Sequence, residues 1–314
     1  MLEEAFARLL EAHGPPAVVR GAEAGEAPAA LAAELRASGF LDLLVPEASG
    51  GAGLPLPELL PLAVEAGRRA CPLPFAETAL ARGVLARAGA SPPEDAWILL
   101  APPSPLHPMA RHATHALVPD GEATAFVAAR ATGDDPWATG AATGLAAGPA
   151  LVRIDGFDLA AAAAALTAAR IAGLIRAAAD LTLVHVATRQ QFGRPLAAFQ
   201  AIQQAMAQLA EEAIAAHTAA GLAFAGERIP RFAAAVAKAR ASEAARTVQA
   251  IVHQAHGAIG MTAEYDLGLF TRRLQEARVA YGSESHWHRE IGAARLADRS
   301  GTAADFLRRT LEMA

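Results

Sequence analysis

Apolar positions recur at three- and four-residue steps through much of the first ninety residues, and that period belongs to helices. The pattern is broken at Gly14 to Pro16 and again through Pro46, Gly50, Gly51 and Gly53. Helices are therefore predicted near the start of the chain, over Ala29 to Ser38, over Pro57 to Arg69 and over Glu77 to Ala88. Between Pro92 and about Asp158 the character changes. WILLAP, HALVP, TAFVAAR and ALVRI are short apolar runs separated by Pro, Gly and Asp, the signature of strands and turns. Beyond Asp158, a candidate N-cap, alanine dominates and long helical periods return, with Phe199, Ile202, Met206, Leu209 and Ala213 on one face. The prediction is a mainly α protein: an N-terminal helical domain over 1–91, a short β-rich middle domain over 92–158 and a C-terminal helical domain over 159–314. Alanine favours helix and lets helix axes approach closely, so tight bundling is expected in the last part.

Composition narrows the class. Of 314 residues 53% are hydrophobic, too many for a disordered chain, and no uninterrupted run of membrane length is read from the pattern. The 27 Lys and Arg are scattered and the net charge is -5, so a polyanion such as nucleic acid is not the expected ligand. A small phosphate-bearing ligand remains open. The lone Cys71 excludes an intrachain disulfide and a thiolate metal cluster, and a buried structural thiol is the expectation. MLEEAFARLLEAHG reads as an acidic amphipathic helix, not a secretory signal, and a cytoplasmic location is expected.

Two segments carry candidate chemistry. Arg189, Gln190, Gln191, Phe192, Gly193, Arg194 and Pro195, followed by Phe199 and Gln200, lie at a break between two long helices. An arginine there presents a forked cation suited to a phosphate, and a glutamine at the next helix start can pair with the edge of a planar heterocycle. A plain helical corner is the competing reading. The second segment is Gln254, Ala255, His256, Gly257, Ala258, Ile259 and Gly260, with Thr262, Glu264 and Tyr265 after it. Its small residues permit close backbone approach to a ligand, although a helix C-cap explains them too. His286 and His288 do not share a helix face and make a poor metal pair, and His107, His112 and His115 are expected as solvated loop residues, so no metal site is assigned. Thr271, Arg272, Arg273 and Arg278 form a basic patch that reads by default as an exposed helix face, with a CoA phosphate or a partner carboxylate as the alternative.

RQQFGRPLAAFQ and QAHGAIGMTAEY together resemble the acyl-CoA dehydrogenase family, and VPEASGGAGLP at Val45 to Pro55 is similar to a loop of the same family. The resemblance spans about residues 30 to 90 and 160 to 314. It implies a helical domain, a small β domain and a C-terminal four-helix domain, assembled as oligomers with FAD bound across a subunit interface. It also implies α,β-dehydrogenation of an acyl-CoA thioester, with an electron-transfer flavoprotein as acceptor. Carried over by position, Arg189 would contact the pyrophosphate, Phe192 would pack beside the dinucleotide, and Gln200 and Gln254 would bind its adenosine or diphosphate half. His256, Gly257 and Ala258 would line the same half-site, which in the family serves the neighbour's FAD.

The departures from the family pattern fall on the other half of the site. The catalytic base implied by the resemblance follows a tyrosine, and after Tyr281 this chain has Gly282, Ser283 and Glu284. A second family position for the base falls near Ala163, within a run of alanines. Glu284 is the remaining candidate base, the alternative being a solvated carboxylate at a helix start. The loop that would face the flavin reads Ala101, Pro102, Pro103, Ser104, Pro105, Leu106, His107, Pro108, and the β insert is shorter than the resemblance implies. The expected function is that of an acyl-CoA dehydrogenase-family subunit, acting as a homo-oligomer or completing the FAD site of a catalytic paralogue. A helical scaffold or acyl-CoA-binding protein without flavin is the alternative.

Overall fold

The computed structural model describes residues 2–312. Five helices open the chain: α1 (Leu2–His13), α2 (Pro16–Glu23), α3 (Ala29–Ala37), α4 (Leu59–Arg68) and α5 (Phe75–Arg87). Their small core is aromatic, with Phe6 of α1 packed between Phe40 and Phe75 at ring-centroid distances of 5.1 and 4.4 Å. Pro16 supplies a pre-set φ in the first turn of α2, where its missing N–H has no helical partner to lose.

A four-stranded sheet follows in the order β1 (Ile98–Leu100), β2 (His115–Asp120), β3 (Ala123–Thr132) and β4 (Gly144–Ile154). β1 and β2 run parallel, whereas β2, β3 and β4 are antiparallel neighbours. β3 and β4 are longer than the sequence runs suggested, because each bridges small and polar residues that break the apolar pattern. Their ladder absorbs the mismatch through register shifts around Phe126 to Ala129.

The rest of the chain is helical. α6 (Leu159–Thr188) begins where expected, the Asp158 carboxylate accepting the Ala161 N–H at 3.0 Å. A minimal hairpin, β5 (Gln190–Gln191) and β6 (Arg194–Pro195), turns through Phe192 and Gly193, both at positive φ, and leads to α7 (Gln200–Ala223). α8 (Arg231–His256), α9 (Leu267–Val279), α10 (Glu284–Ala297) and α11 (Ala303–Glu312) complete the fold. α6 is the axis: α7, α8, α9 and the N-terminal α4 all pack on it, and nearly every side chain from Ala161 to Ile175 is inaccessible to solvent. By length and composition α6 is apolar enough to cross a membrane, a reading the sequence pattern did not make. Even so, 89% of its most apolar window is buried inside the protein.

Small residues set the closest helix crossing. A Cβ on Gly173 of α6 would lie 1.9 Å from the Val64 carbonyl oxygen of α4, so only glycine permits this approach.

Candidate functional site

The segment that would carry the base is closed. Tyr281 (φ 54°) is buried, its N–H donates to Ser104 Oγ at 3.1 Å, and its carbonyl accepts the Trp287 Nε1–H at 3.0 Å. Gly282 sits at φ +95°, and a Cβ there would be 2.6 Å from both His286 Cδ2 and Trp287 Nε1. No side chain fits at 282. The turn is pinned from below by Lys238 of α8, wholly buried, whose Nζ donates to Gly282 O (2.8 Å), Arg278 O (3.1 Å) and Ser242 Oγ (2.9 Å). Burial pushes the Lys238 pKa down to about 7, against a partial upward pull from Glu284.

Glu284 is the first residue of α10, and both its oxygens accept from Arg278, at 2.5 and 3.2 Å. Its burial works to raise the carboxyl pKa, but the Arg278 hydrogen bond and the charges of Arg278 and Lys238 outweigh that and hold it low. A carboxylate tied in this way is a poor proton acceptor, which argues against the base role weighed for Glu284. It is not the solvated helix-start residue of the alternative reading either. Ala163, the other family position, is a buried alanine of α6.

Between the sheet, α6 and α9 the interior is filled by the chain itself. Arg170 donates to Glu276 at 2.8 Å, and the Thr139 hydroxyl donates to the same carboxylate. Arg273, fully buried, donates to Glu23 of α2 at 2.5 Å, and Arg272 reaches the other Glu23 oxygen at 2.7 Å. The basic patch expected on an exposed face is therefore turned inward or paired: α2 covers Arg272 and Arg273, and Glu284 holds Arg278. The cavity left beside Arg170, Glu77, Cys71, Met109, Leu166 and Gly67 is about 20 Å³, room for one water and not for an acyl chain. Burial raises Glu77 and pushes the Cys71 thiol up to about 11, as befits an inert core thiol.

The Pro-rich loop from Ala101 to Pro108 packs against this interior. Ser104 Oγ donates to Leu106 O at 2.7 Å while it accepts from Tyr281, and the His107 ring lies 6.0 Å from the Tyr281 ring. His107 is buried and His112 half-buried, contrary to the solvated loop residues expected, because the loop pairs with Ala142 at the mouth of the sheet. Among the described residues no three His, Cys, Asp or Glu side chains converge as metal ligands. His286 and His288 instead lie near Glu290 and Glu243, at 3.5 and 3.4 Å.

The opposite face is open. Arg189, at the C-terminus of α6, is exposed and its guanidinium has no partner among the described residues. Phe192, on the β5–β6 turn, is 90% exposed and edge-on to Phe199 at 6.2 Å, and the Arg194 guanidinium covers the Phe199 ring at 4.0 Å. Gln200 begins α7 and Gln254 lies in the last turn of α8, both exposed and with side-chain amides unpaired among the described residues. Gly257 and Ala258 are exposed beyond α8, whereas His256 is 6% exposed. Its Nδ1 lies 2.8 Å from Val252 O and its Nε2 3.2 Å from the Tyr265 hydroxyl, so the imidazole is used up inside the chain. The exposed forked cation and the amides are donors, and the exposed aromatic ring an apolar surface, that suit a diphosphate joined to a planar ring. The residues of this outer half-site fit the diphosphate half of FAD, and the cavity of about 20 Å³ beside Arg170 is too small for a flavin ring.

Two larger clefts are present. One of about 760 Å³ is lined by Arg20, Trp137, His253, Tyr265, Arg272 and Gln275. The other, of about 480 Å³, has Leu80, Val84, Phe157 and Ile229 as an apolar floor and Arg87 and Arg228 among its lining.

This fold and these segments define a family. Residues 1–98 match the acyl-CoA dehydrogenase N-terminal domain and residues 157–297 the acyl-CoA dehydrogenase C-terminal domain, and the chain belongs to the acyl-CoA dehydrogenase family of FAD-dependent oxidoreductases. It is 32% identical over 289 residues to the acyl-CoA dehydrogenase IpdE2 of Mycobacterium tuberculosis, covering 87% of this chain and 89% of that protein. It is 30% identical over 313 residues to IpdE2 of Mycolicibacterium smegmatis, covering 93% and 97%. Among solved structures it superposes on a variant of the Tcur3481-Tcur3483 steroid ACAD with TM-score 0.81 at 25% identity, covering 95% of this chain and 98% of that one. The ChsE4-ChsE5 complex from Mycobacterium tuberculosis shares the fold at TM-score 0.76 and 20% identity, covering 96% and 97%.

Proposed function

We propose that this chain is the half-site subunit of a hetero-oligomeric acyl-CoA dehydrogenase. It completes a FAD site on a longer catalytic paralogue and does not itself remove the α proton of the thioester. The observation that carries the reading is the asymmetry of the two halves. The interior beside Tyr281 is filled by Arg170, Glu276 and the Ser104 loop, while Arg189, Gln200 and Gln254 stand outward with no side-chain partner among the described residues and Phe192 is 90% exposed. Two solved relatives, the Tcur3481-Tcur3483 and ChsE4-ChsE5 proteins, are described as pairs, which supports the same arrangement.

In this reading Arg189 holds the diphosphate by charge-assisted hydrogen bonds, and Phe192 screens it from water. Gln200 and Gln254 meet the polar edge of the adenosine half. FAD supplies the acceptor for the β hydrogen, and the proton is removed by a carboxylate of the paralogue. The substrate is an acyl-CoA thioester and an electron-transfer flavoprotein takes the electrons onward. A second reading, an acyl-CoA-binding protein without flavin, draws on the cleft of about 480 Å³, whose apolar floor suits an acyl chain and whose lining sets Arg87 and Arg228 beside Asp158 and Glu227.

The deciding experiment is the visible spectrum and native mass of the protein made alone and made together with a longer paralogue. Colourless protein alone, and a yellow active complex on co-expression, is the expected result. In that complex Arg189→Ala removes about 1.5 to 3 kcal/mol of phosphate binding and lowers FAD retention at least severalfold. Stoichiometric flavin in the lone chain, bleached by an acyl-CoA, would overturn the proposal.

A further inference from the structure

His256 cannot serve the ligand directly, but the imidazole stacked on it can. Its Nδ1 faces the Val252 carbonyl, which only accepts, so Nδ1 holds the ring proton and Nε2 is left to accept from the Tyr265 hydroxyl. Both nitrogens are consumed, and the ring is a fixed platform. Stacked on that platform is His185 of α6, with centroids 4.3 Å apart and planes at 26°, and with the Tyr265 ring edge-on at 6.2 Å. His185 is partly exposed and its imidazole makes no hydrogen bond among the described residues. Arg189 caps α6 one turn after His185, its N–H donating to the His185 carbonyl at 2.8 Å, and its charge acts on the His185 ring.

We propose that His185, with Arg189, forms the phosphate clamp of this half-site, and that His185 takes up a proton as a diphosphate binds. The inference rests on the half-site reading above and names a ligand group within it. The surroundings supply the proton logic. On its own helix His185 faces the Arg189 cation. From α8 it faces the neutral His256, with His253 behind, and from the loop before α9 it faces the Tyr265 hydroxyl. Of the nearby carboxylates, Asp266 is held by Arg20 at 2.7 Å, and Glu264 is exposed with no partner among the described residues. Arg194, across the hairpin, is committed to the Phe199 ring. Partial burial and the Arg189 charge therefore hold the His185 pKa below the ordinary imidazole value in the free chain. An arriving diphosphate reverses the sign of that environment, and a second charge-assisted hydrogen bond becomes available below neutral pH.

The test uses the full chain and ADP-ribose, a diphosphate diester with no phosphate group that titrates in the range studied. Binding is measured by calorimetry between about pH 6 and pH 8, and the histidine ring protons are followed by NMR in the same titration. Affinity is expected to be roughly fivefold or more higher at the acid end, with the His185 resonance titrating at higher pH in the complex than in the free chain. His185→Gln should keep the alkaline affinity and lose the pH dependence, and His185→Lys should show the acid affinity throughout. Binding that needs Arg189 but has the same pH profile in His185→Gln would overturn the inference and leave the half-site standing. Binding indifferent to Arg189→Ala would overturn both, as would absent binding in the flavin-free complex with the paralogue.

Discussion

Placing a side chain at Gly282 tests the claim that this chain has no room for its own base. The perturbation is Gly282→Ala, with Gly282→Glu as the variant that would restore the family's carboxylate. Backbone at φ +95° is open to glycine and strained for any other residue, by about 1–2 kcal/mol. The new Cβ would sit 2.6 Å from two atoms, where ordinary contact begins at 3.4 Å. His286 is about half exposed and can swing away. Trp287 cannot: it is 1% exposed and its indole N–H is bonded to Tyr281 O at 3.0 Å. Displacing it strains that bond and overpacks the site, which brings the expected loss to about 3–7 kcal/mol, a large share of a typical folding free energy. Urea unfolding at constant pH measures it directly. Gly282→Glu should lose at least as much and gain no flavin reduction by acyl-CoA. Wild-type stability in Gly282→Ala, or dehydrogenation by Gly282→Glu alone, would refute the argument that the position is sterically closed.

Two further outcomes follow from buried charges. Lys238 is held down to about 7 by burial, so between about pH 7 and the ordinary lysine range the unfolded chain binds a proton that the folded chain does not. Stability should therefore rise with pH through that window, and urea midpoints of Lys238→Met should lack the rise; equal slopes for the two proteins would count against it. Glu276→Gln leaves Arg170 as a buried cation without its counter-charge and should destabilise by about 3–5 kcal/mol, while FAD retention in the assembled complex stays unchanged if Glu276 only fills the interior. Loss of FAD at full stability would assign Glu276 to the cofactor instead.

The parts of the protein legible in the sequence are those whose physics is local. Asp158 is recognisable as a cap because its partner is three residues on, and the Arg189 to Gln200 segment stands out because its members occupy one hairpin and one helix start. The filled interior was not legible. Arg170 meets Glu276 across 106 positions, and Arg273 meets Glu23 across 250, separations for which spacing carries no signal. Arginines in a cluster usually lie in water, and nothing in RRLQEAR announces that α2 folds over two of them. One cue was available for Arg170: it is the sole charge between Leu159 and Ile175, an alanine-rich stretch with no polar face to offer it.

The central position of α6 also bears on how the chain reaches its fold. Thirty residues of this composition leave the ribosome as a segment that water and chaperones meet as bare hydrocarbon. Its first cover, α4, has already been synthesised and closes over it at the glycine crossing, whereas α8 begins more than forty positions later. For the interval in which that stretch is translated, one side of the axis is sheathed and the other is sticky. Slowing translation between Arg189 and Arg231 lengthens that exposure, and the yield of soluble protein is then set by elongation kinetics as much as by equilibrium stability.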